Sequence, residues 1–321
     1  MNQCVCTIIT FDYLSYSFTL FDSLRSHYPG VELKVLIVDG VIEPISVLPL
    51  GVEVFTTSDL CKSGIGLKIK NKYFHGSRDR FRWSMKPVFI NYLIRECKYD
   101  KILYADSDLF FFAPFEFLFD ELNLAGVLLS PHYRCSTPFR PETLMKEREN
   151  FELLFNNGIY NGGFLGVSRA GCEAMDWWAK ACEYICIKDE GRGFCDDQTH
   201  LNLIPVLFEN AVILRHKGCN IANWNQSDCK RTKSVSGQIT INDEWEIVFV
   251  HFTRSTICGI LSGEDPLLAD YLELYSRAIK LHRPDFDLRY YRLTMGKEGQ
   301  NDDKLINKIL RKIRSNKSSS R

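Results

Sequence analysis

The chain has 321 residues, 45% hydrophobic and 25% charged, enough to enclose a sizeable core in one large domain or one domain with an appendage. Lysine plus arginine and aspartate plus glutamate both number 40, so the formal net charge is zero. That balance excludes a global basic field for nucleic acid, and no stretch is long and apolar enough to span a bilayer.

Val5 to Thr10 is predicted as a buried first strand, and Tyr13 to His27 as a helix on the spacing of Phe18, Phe21 and Leu24. Glu32 to Val38 and Val52 to Phe55 read as further strands, the opening of a parallel α/β sheet. Cys61 to Arg82 is rich in Gly, Lys and Arg and reads as an ordered loop or lid. Met85 to Lys98 is predicted helical. An apolar run, Lys101 to Phe112, follows as a buried strand broken by Asp106-Ser107-Asp108. Ala125 to Ser130 and Gly162 to Val167 read as strands, with a long loop from Pro131 to Asn150 between them. Gly171 to Ile187 and Gln198 to Phe208 are predicted helices, Ala211 to Arg215 and Ile247 to Phe252 strands, and Asp265 to His282 a helix before a polar, basic tail. Twelve scattered cysteines form no CxxC pair, and the N-terminus lacks a basic region followed by a long apolar run. Reduced thiols and a cytoplasmic location are the expectation.

Four motifs carry chemistry. Residues i and i+2 of an extended chain point the same way, so Asp106 and Asp108 can aim at one point while Ser107 faces away. Two buried like charges need a cation, and hard oxygen ligands suit Mg²⁺ or Mn²⁺ carrying a substrate's phosphates. Such a triplet also occurs as a pair of surface carboxylates in a turn. The apolar strand before it and Phe110-Phe111-Phe112 after it favour function. His251, at the end of a predicted strand, reads either as a core histidine or as a third metal ligand brought to the same sheet edge. Asn156-Asn157-Gly158 and Asn161-Gly162-Gly163 read as turns, whose glycines would let backbone approach a ligand and whose amides would bind sugar hydroxyls. Asp196-Asp197-Gln198 reads as a helix N-cap or as part of a reaction centre.

Together these motifs resemble a GT-A fold glycosyltransferase of the family-8 type, which includes glycogenin and the bacterial lipopolysaccharide galactosyl- and glucosyltransferases. The resemblance rests on chain order over roughly residues 4 to 255. Thr10-Phe11-Asp12-Tyr13 ends the first strand, and a helix bearing Lys86 precedes Leu103 to Asp108. Asn157-Gly158, Asn161-Gly162-Gly163, Asp197-Gln198 and His251 follow. It implies a Rossmann-like mixed sheet flanked by helices. Residues 1–258 would be the catalytic domain, and 259–321 a helical C-terminal region.

It also implies transfer of a sugar from a nucleotide-sugar donor, most often UDP-linked, to a glycan acceptor, with Mn²⁺ or Mg²⁺ as cofactor and retention of anomeric configuration. Bacterial surface polysaccharide synthesis is the implied setting. Carried over residue by residue, Asp106, Asp108 and His251 would ligate the metal. Thr10, Tyr13 and Asp39 would hold the nucleoside, and Ser107 the ribose. Lys86 and Arg82 would face phosphates or sugar, and Asn161, Gly162 and Gly163 would line the sugar. Asp197 and Gln198 would sit beside the anomeric carbon. The family follows its histidine with a glycine and Lys-Pro-Trp; here His251-Phe252-Thr253-Arg254 stands instead, and Arg254 takes the lysine's place at the diphosphate.

Leu305, Ile306, Ile309, Leu310 and Ile313 make one apolar face within a basic segment, 304–314. That pattern reads as a peripheral anchor on an anionic membrane, suited to a lipid-linked glycan acceptor, or as a last helix packed on the domain. Two rival functions stand beside the enzyme reading. One is a non-catalytic subunit that binds a nucleotide sugar. The other is a nucleotidyltransferase of similar fold, against which the lack of glycine from Thr10 to Ser17 counts.

Overall fold

Cys4, Cys6 and Ile8 pack on one side of the first strand, Val5 and Ile9 on the other, and all five are buried. Burial on both faces is what a central parallel strand demands. The computed structural model describes residues 2–40, 48–62, 64–142 and 144–294. Two compact units divide the chain, residues 1–286 and 287–321.

In the first unit, β1 (Gln3–Ile9) pairs in parallel with β2 (Leu33–Ile37) and β4 (Lys101–Ala105), and β2 with β3 (Val52–Thr56). A short strand, β5 (Leu109–Phe111), follows β4 but leaves this sheet. Beyond β4 the sheet turns mixed. β7 (Tyr160–Ser168) runs antiparallel to both β4 and β6 (Val127–Pro131). β8 (Ile187–Asp189) and β9 (Phe194–Asp196) form a separate hairpin, and β10 (Ala211–Ile213) pairs in parallel with β6. The seven-stranded order is β10-β6-β7-β4-β1-β2-β3. A three-stranded ribbon of β11 (Arg231–Lys233), β12 (Ile239–Ile241) and β13 (Trp245–Glu246) precedes β14 (Phe249–His251). The predicted α/β class and mixed sheet are thus present.

Helices cover both faces. α1 (Leu14–His27) buries Leu20, Phe21 and Leu24 on the Val5 face. α2 (Thr57–Leu60), α3 (Gly64–Tyr73) and α4 (Arg78–Ser84) lead into α5 (Lys86–Arg95), which packs on the Cys4 face. α6 (Phe117–Glu121) lies on the Val5 face. α7 (Met145–Asn157) precedes β7, and α8 (Cys172–Tyr184) packs against α5 through Met175 and Trp178. α9 (Ile204–Leu207), α10 (Arg254–Ser262) and α11 (Ala269–His282) complete the unit. His282 Nε2 lies 2.6 Å from Asp22 Oδ2, fastening α11 to α1. In the second unit the described residues form α12 (Leu288–Thr294). The basic segment 304–314 lies outside the described residues. Among the described residues no helix is long and apolar enough to cross a membrane, and the cysteines are free thiols, most of them buried.

Several boundaries differ from the sequence reading. The expected lid, Cys61 to Arg82, is mostly helix. Ile69, Tyr73 and Phe81 are buried there, a stripe masked by the surrounding lysines and glycines. The Tyr73 hydroxyl donates to the Cys182 carbonyl at 3.0 Å, tying α3 to α8. The loop expected from Pro131 to Asn150 passes into α7 at Met145, where Glu147 accepts the Leu144 N–H at 2.9 Å. Asn156-Asn157-Gly158 therefore ends a helix, with Gly158 at φ 92°, and is not a hairpin turn. The expected helix at Gln198 begins as a 3-10 segment, Gln198–Leu203.

Candidate metal and donor site

β1, β2 and β4 end on the same sheet edge, which gathers Thr10, Asp39 and Asp106. Asp39 accepts the Phe11 N–H at 3.1 Å and Thr10 accepts the Tyr13 N–H at 2.9 Å, so the two strand ends brace each other. The Tyr13 ring is exposed and lies 5.0 Å from that of Tyr16. A cavity of about 330 Å³ opens beside Asp39, lined also by Phe74, His75, Ser77, Arg78 and Phe81. The residues from the α3–α4 turn were not among the expected nucleoside contacts, since that segment read only as an ordered loop or lid.

The Asp pair converges by a different route from the one the spacing suggests. β4 stops at Ala105, and the Leu109 N–H donates to the Asp106 carbonyl at 3.1 Å, closing a turn over 106–109. Ser107 is buried within that turn. The apolar run is therefore two strands, and β5 pairs antiparallel with β14, placing His251 opposite Leu109. The Phe252 N–H donates to the Asp108 carbonyl at 2.9 Å. His251 thus arrives by a two-stranded ribbon rather than as a strand of the main sheet.

The ligand-capable atoms of Asp106, Asp108 and His251 lie within 4.8 Å of one another. His251 Nε2 is 3.1 Å from Asp108 Oδ1; the imidazole is buried, while the two carboxylates keep 28% and 30% of their side-chain surface open. Burial pushes the imidazole toward its neutral form, but the Asp108 charge and hydrogen bond outweigh it and raise its pKa. Two carboxylates and one imidazole with an open side fit a divalent cation of the Mn²⁺ or Mg²⁺ kind that shares its shell with a ligand. Gly163 supports the fit: a Cβ there would stand 2.5 Å from His251 Cε1 and 3.0 Å from Asp106 Oδ2. Gly163→Ala is expected to weaken Mn²⁺ binding by roughly 10–100-fold, by displacing ligands rather than removing one. Calorimetric Mn²⁺ titration of a variant with wild-type circular dichroism checks this; unchanged affinity would refute it.

A buried ion cluster adjoins the triad. Lys86, at the first turn of α5, is 4% exposed. Its Nζ donates to the Gly162 carbonyl at 2.8 Å and lies 3.2 Å from Asp197 Oδ2 and 3.7 Å from Asp106 Oδ1. Burial alone would lower its pKa; Asp106 and Asp197 reverse that and raise it. The Tyr104 hydroxyl donates to Asp106 Oδ1 at 2.5 Å. Arg82 is held charged in the same way, burial being outweighed by Asp106 and Asp79.

Asp197 is 3% exposed, and burial, with Asp106 adding, raises its pKa despite Lys86. Its Oδ2 is ion-paired with Lys86 Nζ at 3.2 Å and is itself buried. The Trp178 indole N–H donates to the Asp197 carbonyl at 2.9 Å and pins the backbone. Gln198 is engaged at both ends of its amide: Oε1 accepts the Gly162 N–H at 3.2 Å and Nε2 donates to Asn157 O at 2.8 Å. Asn161 is likewise engaged, accepting the Gly163 N–H at 2.9 Å and meeting His132 Nε2 at 3.2 Å. Burial drives His132 down to about 3, so it is neutral. Arg254 opens α10 three residues after His251.

Asp196, next to Asp197, has a left-handed backbone at φ 54° and a pKa raised to about 6 by burial and then by Asp197. A raised carboxyl binds its proton more tightly in the native state, so stability falls as pH rises from about 4 to about 6 and the deficit persists above. Asn tolerates this backbone and carries no charge. Asp196→Asn is therefore expected to stabilise the protein by about 1–3 kcal/mol at pH 8 and hardly at all at pH 4, measured by urea unfolding.

No family model matches the chain. It is similar to two curated proteins of Bacillus subtilis strain 168, both described as uncharacterized. YfnF is 27% identical over 271 residues, covering 81% of this chain and 84% of YfnF. YfnD is 27% identical over 260 residues, covering 78% and 77%. Among solved structures the chain shares a likeness with mouse xyloside xylosyltransferase 1, at TM-score 0.48 and 13% identity, over 80% of this chain and 99% of that one. It also shares one with the glycosyltransferase GlyE of Streptococcus pneumoniae TIGR4, at TM-score 0.44 and 16% identity, over 79% of this chain and 55% of that one.

Proposed function

We propose that the protein is a metal-dependent glycosyltransferase that moves a sugar from a nucleotide diphosphate donor to a glycan acceptor. The observation that carries this reading is the convergence of Asp106, Asp108 and His251 beside the Lys86–Asp197 pair, at the strand ends of a mixed α/β sheet. Held by Asp106, Asp108 and His251, a divalent cation would supply Lewis-acid neutralisation of the donor's diphosphate. Arg82 and Arg254 add positive charge toward the leaving group, and Lys86 holds Asp197 against Asp106. The Asp197 carboxylate, beside Gly162 and Lys86, is suited to a donor-sugar hydroxyl or to the positive charge that grows at the anomeric carbon as the bond to the leaving diphosphate lengthens. Gln198 and Asn161 act one step back, fixing Gly162 and Gly163 where a side chain would push against Asp197, His251 and Asp106.

The cavity beside Asp39 is suited to the nucleoside, with Thr10 and Tyr13 at the neighbouring end of β1, which Asp39 braces through the Phe11 N–H, and Ser107 within the metal turn. The resemblance to family-8 enzymes supports a UDP-linked donor, Mn²⁺ and a retaining course. In this reading catalysis belongs to residues 1–258, and the basic segment 304–314 holds a cytoplasmic enzyme against an anionic membrane, beside a lipid-linked glycan of a surface polysaccharide. The experiment is a donor screen: purified protein with a panel of nucleotide sugars and Mn²⁺, scored for nucleotide release and anomeric product. Release from a UDP-sugar that stops with chelator is expected. Metal-dependent UDP binding with no turnover of any donor would make it a binding subunit, and pyrophosphate chemistry a nucleotidyltransferase.

A further inference from the structure

The His251 ring is gripped from behind by a single amide. Nδ1 lies 3.2 Å from Asn220 Oδ1, and Nδ2 of the same amide donates to Ser130 Oγ at 3.2 Å. Asn220 is 1% exposed, its backbone is left-handed at φ 58°, and its carbonyl accepts from Asn225 Nδ2 at 2.9 Å. The next residue, Ile221, accepts the His251 N–H at 2.8 Å. Side chain and backbone of this short segment therefore run along β14 and fix the imidazole from the side away from Asp108.

The chemistry of the amide then dictates the ring. In this orientation the amide nitrogen faces Ser130 and the oxygen faces the imidazole, and that oxygen can only accept. Nδ1 must carry a hydrogen. That leaves Nε2, on the Asp108 side of the ring, as the nitrogen free to turn a lone pair to a cation bound beside Asp108. The left-handed backbone restricts the position to glycine and the few residues, Asn among them, that adopt it readily.

We propose that Asn220 is the positioning residue of the metal site: it sets His251 in the Nδ1–H tautomer and aims Nε2 at the cation shared with Asp106 and Asp108. This rests on the metal reading given above. The test titrates Mn²⁺ by calorimetry into the full chain as wild type, Asn220→Gly and Asn220→Asp. Glycine keeps the left-handed backbone and removes only the amide; aspartate keeps an oxygen facing Nδ1–H. The expected result is a roughly 10–100-fold loss of Mn²⁺ affinity in the glycine variant and full rescue in the aspartate variant.

Wild-type affinity in Asn220→Gly, or equal weakening in both variants, would overturn the role of Asn220 while leaving the metal site standing. A wild type that binds neither Mn²⁺ nor Mg²⁺ would overturn the metal reading and this inference with it. A second measurement needs no variant. In ¹⁵N-histidine-labelled wild type loaded with diamagnetic Zn²⁺, long-range ¹H–¹⁵N spectra should show Nδ1 protonated and Nε2 bound to metal; the reverse assignment sinks the proposal even if the glycine variant fails to fold.

Discussion

Asp108→Ala is expected to remove measurable Mn²⁺ binding and to reduce sugar transfer on the order of 10³-fold, the several kcal/mol that a positioned cation contributes to a developing diphosphate charge. Asp108 is the hinge of the triad. It faces His251 directly at 3.1 Å, whereas Asp106 is already engaged by the Tyr104 hydroxyl at 2.5 Å and by Lys86 at 3.7 Å. Without Asp108 the cation keeps one imidazole and one carboxylate that other groups partly satisfy. The variant should fold, because the 106–109 turn is closed by backbone and not by the Asp108 side chain. A thermal readout makes the point without substrate. A ligand that binds only the native state raises the melting temperature by mass action, so Mn²⁺ should shift the wild type upward and leave the variant unmoved. An equal shift in both would remove Asp108 from the metal site.

The triad was legible in the sequence, but its mechanism of assembly was not. Asp106, Asp108 and His251 stand out as two carboxylates one residue apart and a histidine closing an apolar strand. Extended-chain alternation gives the right pairing for the wrong reason, since the carboxylates sit in a turn. Nothing local in Phe249-Val250-His251 reveals that it pairs with Leu109–Phe111, because strand partnership is a long-range choice settled by packing. The same limit hid Asn220, Trp178 and His132, which act on His251, Asp197 and Asn161 respectively through contacts formed only in the fold. The weak signal at Asn220 was its type, an Asn following Gly218-Cys219 in a segment without helical or strand periodicity, where a left-handed residue is most at home. In contrast, α3 and α7 were misread as loops for compositional reasons. Lysines and glycines surround the Ile69 stripe, and charged residues dominate the start of α7, whose residues are half-buried or exposed.

Lys86→Met should destabilise the protein in a way that depends on pH. Lys86 opens α5, where a helix dipole disfavours a cation, so its charge is held there by its partners rather than by helical preference. Removing it leaves Asp197 buried beside Asp106 with no counter-charge. Breaking a buried pair from one side costs about 3–5 kcal/mol when the remaining charge persists. Asp197 can escape that cost by protonating, because burial and Asp106 already raise its pKa and Lys86 is the main group holding it down. The sign follows. A carboxyl with a raised native pKa gives a fold that is most stable below the ordinary carboxylate value and loses stability as pH climbs through the native one. Urea unfolding should therefore show a gap between wild type and Lys86→Met of about 3–5 kcal/mol at pH 8. Near pH 4 the gap should shrink to about 1 kcal/mol, the cost of the lost Gly162 hydrogen bond. Adding Asp197→Asn to Lys86→Met removes the orphaned charge and should recover most of the loss at pH 8, a coupling that a double-mutant cycle measures directly. A gap of the same size at both pH values would mean that Lys86 acts by packing alone, and that Asp197 is not held in its charged form by this lysine.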